Sequence, residues 1–301
     1  MRPLIRLALA AIATTLPAPL LAHGGHSHGE PPGWTWDPWI TIPLLASAML
    51  FTAGYLRLRA RASRSSFGKR ALLFGAGWTL LAGALVSPLH AAGERAFSMH
   101  MLEHELLMLA AAPLLVLAAP MVVLLWGLPA PVRQVAGALA RQSLVTRAWD
   151  RLTEPVTATI VQAVTLWVWH APMLFDLALA NEAWHAVQHL SFLVSALLFW
   201  TAMLNARRAR APAQGLAALC LFLTSLVSGA LGALMAFSQS PWYAGYAVLG
   251  MAPYGLTPAE DQQVAGLLMW IPGGLVHAIA ALALVAVLLR PRPAVEAADA
   301  C

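Results

Sequence analysis

The sequence predicts an all-α polytopic membrane protein, a seven-transmembrane-helix bundle with its N-terminus outside and its C-terminus cytoplasmic. Three observations predict it. Of the 301 residues, 60% are hydrophobic and only 10% charged, against roughly 25% charged in a soluble domain. Uncharged apolar runs of about 20 residues, long enough to cross a hydrocarbon core, recur along the chain. The basic residues fall in alternate gaps between those runs, the pattern that orients helices in a bilayer. The net charge of +5 therefore reads as membrane orientation and gives no basis for nucleic-acid binding. Cys220 lies in an apolar run and Cys301 is terminal, so a disulfide framework and a Cys-x-x-Cys metal site are both unavailable. Phosphate-loop, Rossmann and Ser-His-Asp patterns do not occur.

Taken in order, residues 1–22 read as a secretory signal, with two arginines, an apolar core and Ala22 before the cleavage point. An uncleaved first helix is the alternative. Residues 23–37, HGGHSHGEPPGWTWD, form an extracytoplasmic tail that leads into an interfacial tryptophan belt. Its His23, His26 and His28 could gather metal loosely, or the tail could simply be solvated. The transmembrane domain occupies 38–290, with spans expected at 38–57, 70–90, 97–119, 155–172, 183–204, 213–237 and 263–289, and 291–301 is a cytoplasmic tail. Apolar character continues past the third span to Leu128, and Pro113 and Pro120 are expected to bend it. Gly229, Gly232, Gly266, Gly273 and Gly274 are expected to let helices approach closely.

Arginine and lysine cluster after the first, third, fifth and seventh spans. Of the basic residues beyond Ala22, only Arg95 falls on the other side. On that topology every histidine but one lies outside or at an outer helix end. His90 and His170 each close an apolar run; His100 with His104, and His185 with His189, each open the next. Residues four apart share a helix face, so each pair can aim two imidazoles at one point. Two such hairpins side by side would make a four-histidine cage.

Met108 continues the His100 and His104 stripe, with Met101 at its edge and Glu103 on its flank, and Glu182 shares a face with His185 and His189. Imidazole and thioether together suit copper, especially Cu(I), while magnesium and calcium prefer oxygen. The competing structural reading is that these histidines hydrogen-bond across the bundle as polar glue. His277 is about fourteen residues into the last span, roughly 21 Å deep at 1.5 Å per residue, where an ionisable group points to function. It could join the outer four only through a bent helix, and Pro272 offers a bend by freeing the Leu268 carbonyl.

SMHMLEHELLMLAAAPLLVLAAP, WVWHAPMLFDLALANEAWHAVQHLSFLVSALLFW and DQQVAGLLMWIPGGLVH resemble the polytopic CtaG family of cytochrome c oxidase assembly factors. The resemblance runs from the first span to the last and does not include the histidine tail. It implies a seven-helix protein of the bacterial inner membrane needed for an active heme-copper oxidase, involved in copper supply, with His100, His104, His185, His189, Asp261, Trp270 and His277 at the matching positions. The expected metal ligands are then His100, His104, His185, His189 and His277, with Met101, Met108, Glu103 and Asp261. The expected partners are cytochrome c oxidase subunits or a periplasmic copper chaperone, in the lipid bilayer and without nucleic acid. A non-enzymatic copper chaperone leads. A membrane-embedded zinc hydrolase and a heme-binding electron carrier with paired axial histidines are the alternatives.

Overall fold

The computed structural model describes residues 33–59, 65–207, 209–250 and 255–289. The expectations for the signal segment, for the histidine tail as far as residue 32 and for the C-terminal tail lie outside them. Among the described residues all regular structure is helical. The long elements are α1 (Pro38–Arg59), α2 (Ser65–Val86), α11 (Glu182–Ala206), α12 (Ala211–Phe237) and α14 (Pro258–Leu288). Between α2 and α11 the chain runs through α3 (Pro88–Gly93), α4 (Phe97–Glu105), a π-helical turn (Leu106–Ala111), α5 (Ala112–Ala118), α6 (Met121–Gly127), α7 (Ala130–Ala140), α8 (Ser143–Leu152), α9 (Pro155–Trp169) and α10 (Pro172–Ala180). A short α13 (Ala244–Ala247) precedes α14. Among the described residues six helices, with Phe97–Ala118 counted as one, are long and apolar enough to cross a membrane, and a bent pair makes a seventh if read as one span.

That pair corrects the fourth expected span. Pro172 pushes the residue before it out of the helical region, and Ala171 is extended at φ −63° and ψ 125°. Helices α9 and α10 consequently meet at 73°. The third span differs too. Ala119 turns left-handed (φ 47°) and Pro120 follows, so the apolar stretch beyond it folds back as the separate helix α6 against α1. Gly54 and Gly127 permit that crossing: a Cβ on Gly54 would lie 1.8 Å from the Val123 carbonyl oxygen, and one on Gly127 2.1 Å from that of Leu50. Arg57 then satisfies the end of α6, donating through Nη1 to the carbonyls of Trp126, Gly127 and Leu128 at 2.7, 3.0 and 3.0 Å.

The basic stretch expected to be a loop after the third span is instead α7 and α8, neither with a buried residue. Val135, Leu139, Leu144 and Trp149 are exposed there beside Arg133, Arg141, Arg147 and Arg151, the distribution of helices lying in an interface. In the bundle itself the most extensive pairing is α12 with α14. Gly232 and Gly266 make it possible: a Cβ on either would come within 2.8 Å of the other's carbonyl oxygen. Gly273 and Gly274, by contrast, meet their neighbours at ordinary distance.

Candidate metal centre

Helix α4 carries the first histidine pair, and its start is held by a distant residue. Its N-cap is Ala96, which has no side-chain acceptor, so its first amides would be orphaned. Asp261, near the start of α14, supplies the acceptors: Phe97 N–H donates to Oδ2 at 2.6 Å and Ser98 N–H to Oδ1 at 3.3 Å. Helix α3 is laid against α4 by Gly93, whose Cβ would meet the His100 Cα at 3.2 Å. Tyr246 donates its hydroxyl to the Gly93 carbonyl, and burial holds that phenol far above its ordinary pKa, so it remains a donor. On the other side Asn181 caps α11, accepting from Ala183 and Trp184 N–H at 3.0 and 3.2 Å. This sets the register of His185 and His189.

These elements bring both histidine pairs together. Ring centroids are 4.3 Å apart for His100 and His104, 4.4 Å for His185 and His189, 5.0 Å for His104 and His189, and 5.2 Å for His100 and His185. One ligand atom each from His100, His185 and His189 lie within 4.8 Å of one another, and a second such group is His90, Glu103 and His189. Bonds of about 2.0–2.1 Å hold three ligand atoms about 3.6 Å apart in a plane around one ion, so closure needs each side chain to shift by at most about 0.7 Å. Both ring nitrogens of His100, His104 and His189, Nε2 of His185 and Oε2 of Glu103 are buried without a hydrogen-bond partner. Buried polar groups are ordinarily paired, and polar glue would show such pairs. A set of convergent lone pairs fits a cation.

Glu103 is fully buried and joins the second group to the first. It accepts from His90 Nδ1 at 2.8 Å and lies 3.6 Å from His189 Nε2. Burial lowers the His90 pKa, but the hydrogen bond and charge of Glu103 outweigh it and hold that imidazole above its ordinary value. A carboxylate bonded to a neighbouring imidazole is the usual second layer of a histidine metal site. The sequence had offered Glu182 for the carboxylate on α11, but Glu182 is exposed, and the acid that enters the cluster is Glu103.

The remaining expected ligands sit elsewhere. Met101 is buried beside the pair on α4, 2% exposed. Asp261 is committed to the start of α4 and not to the cluster. Helix α14 stays continuous through Pro272, so no break lifts His277. Its ring packs against Trp200 at 5.9 Å and Phe199 at 5.7 Å, and it lines a separate, deeper cavity together with Met108. His170 is held at the α9–α10 bend, with Nδ1 donating to the Leu166 carbonyl at 2.7 Å. Sequence reasoning noted His90 only as a helix end. The signal it missed was the Ser-Pro start of a new helix just before it: Ser87 caps α3 and Pro88 opens it.

The sequence model of one family, the cytochrome c oxidase caa3 assembly factors, matches residues 49–291. Among curated proteins and among solved structures nothing matches the chain. The matched segment contains both histidine pairs, Glu103, Asp261 and His277, and the chain belongs to the cytochrome c oxidase caa3 assembly factor family.

Proposed function

We propose that this chain holds copper, as Cu(I), in the cluster of His100, His104, His185 and His189 and releases it to a cytochrome c oxidase under assembly, from the extracytoplasmic side of the bacterial inner membrane. One observation carries the reading: the four imidazoles pack together with buried ring nitrogens that have no hydrogen-bond partner, and one nitrogen each of His100, His185 and His189 lies within 4.8 Å of the others. Imidazole binds copper well. A site with no exchangeable protein partner for its lone pairs is ready to bind. The ion is cargo in this account, and the protein's own contribution is placement. Asp261 and Asn181 fix the two helix starts, Glu103 holds the His90 ring against His185 and His189, and the surrounding core excludes water.

The side assignment rests on the basic residues. Arg57 and Arg207 lie at the helix ends opposite the histidines, and Arg133, Arg141, Arg147 and Arg151 sit on α7 and α8, which supports an outer position for the cluster by the positive-inside rule. The imidazoles stack on and edge into one another at 4.3–5.8 Å, a spacing for an ion and not for a macrocycle. This favours a metal carrier over a heme carrier, and burial of the cluster favours a carrier over a hydrolase, which keeps an open water position.

Complementation tests the reading. Cells lacking the chain should recover cytochrome c oxidase activity with the wild type and stay near the deletion level with the variant carrying alanine at His100, His104, His185 and His189, inserted in equal amount. Full recovery by that variant would end the proposal.

A further inference from the structure

Beneath the imidazole cluster lies a second group of unpartnered polar atoms. A cavity of about 30 Å³ is lined by Glu105, Met108, Gln162, Thr224, Met269 and His277, among others. A water needs about 10–15 Å³ of such space, so there is room for one bare ion or two waters. Oε2 of Glu105, Oε1 of Gln162 and Nε2 of His277 are all buried without a hydrogen-bond partner, and Gln162 and His277 are each 3% exposed. Glu105 as a residue is half-buried, but this oxygen is enclosed.

The atoms facing the cavity are rich in lone pairs and poor in donors. His277 Nδ1 lies 2.8 Å from the Gly273 carbonyl. A carbonyl only accepts, so Nδ1 carries the proton and Nε2 is left to a ligand, the arrangement usual in metal-binding histidines. Thr224 and Ser228 spend their hydroxyl hydrogens on the Cys220 and Thr224 carbonyls, both at 2.8 Å. Two thioethers, Met108 and Met269, complete the wall, and no lysine or arginine is present in it. A carboxyl group at this depth either keeps its proton or takes a cation, and the lone pairs around this one suit a cation.

We propose that Glu105, Met108, Met269 and His277 form a second metal site, one helical turn below the imidazole cluster, that takes a soft monovalent cation of the Cu(I) class. One carboxylate balances one positive charge, which leaves the site neutral in a low-dielectric setting. The imidazole and thioethers select a soft ion over an alkali cation. The π-helical turn Leu106–Ala111 lies at this level, as such turns often do at functional sites. Ala112 N–H bonds back to the Leu107 carbonyl. In that register Pro113 would have to serve Met108 and has no N–H, so the Met108 carbonyl is taken instead by the Trp200 indole at 2.9 Å. Met108 is thereby fixed against α11. The site does not depend on what the upper cluster binds.

Silver(I), a redox-inert monovalent probe, tests this on the full-length protein in detergent. The wild type should bind two ions, and the variant with all four cluster histidines changed to alanine should keep one, with sulfur neighbours in its X-ray absorption spectrum. Adding Glu105→Gln should weaken that ion at least about 100-fold, since breaking a buried charge pair is strongly destabilising, and Met269→Leu should remove one sulfur neighbour. If the four-alanine variant does not fold, Glu105→Gln alone should lower the count from two to one. No ion in the folded four-alanine variant, a remaining ion without sulfur, or a remaining ion indifferent to both substitutions would overturn the site. Loss of the upper ion is read separately, from the four-alanine variant, so failure of one site is distinguishable from failure of the other.

Discussion

Replacing Asp261 tests how the cluster is positioned. The carboxylate accepts from two amides at the start of α4, 3% exposed, where the local N-cap is an alanine. Hydrogen bonds to a charged group contribute about 1.5–3 kcal/mol each. The 2.6 Å bond to Phe97 belongs at the upper end of that range and the 3.3 Å bond to Ser98 at the lower. Asp261→Ala should therefore destabilise the metal-free protein by about 4 kcal/mol. Asp261→Asn, which keeps one oxygen but loses the charge and sets an NH2 against an N–H, should cost about half as much. Denaturant unfolding in detergent micelles gives the totals, and amide hydrogen exchange at Phe97 and Ser98 gives the location. Metal affinity should fall in parallel, because α4 carries His100, Glu103 and His104. If Asp261→Ala left the metal-free protein within about 1 kcal/mol of wild type while abolishing metal binding, Asp261 would be a ligand, and the capping argument would be wrong.

Two further expectations concern packing and orientation. Gly54→Ala and Gly127→Ala should each destabilise by about 1–3 kcal/mol, the usual cost of overpacking, because their Cβ atoms would collide with backbone at 1.8 and 2.1 Å; Gly75→Ala, with open space around it, should be neutral in the same unfolding assay. A reporter active only in the cytoplasm should work when fused after Arg147 or Arg210 and fail after Glu94 or Asp176, and the reverse pattern would move the histidine cluster to the inner face.

The spans were legible because an uncharged run of spanning length has few other readings, and the two histidine pairs because i, i+4 spacing fixes a shared face. What escaped the sequence depended on contacts between remote residues or on local backbone geometry. Asp261 is 164 residues from the amide that it caps, so it looked like one more metal-binding carboxylate. The pairing of Glu103 with His90 depends on the turn between α3 and α4, which no periodicity reports. Glu105 and Gln162 did carry a signal, as polar residues inside apolar runs, but the neighbouring histidines drew the interpretation. The basic residues of α7 and α8 were read for orientation alone, which hid the apolar stripe between them. Pro113 and Pro120 were expected to bend one span; the chain instead relieves the first with a π turn and ends the helix before the second.

The central claim, that α4 and α11 together make one metal site, is tested most directly by copper X-ray absorption on copper(I)-loaded protein. Four samples suffice: the wild type, the His100→Ala and His104→Ala double variant, the His185→Ala and His189→Ala double variant, and the variant combining all four. Ligands that act as a unit are non-additive. The account predicts that the ion with only nitrogen neighbours, near 2.0 Å, disappears to the same extent from all three variants. A sulfur-free, nitrogen-bound ion retained by either double variant, with losses that add in the fourth sample, would contradict it.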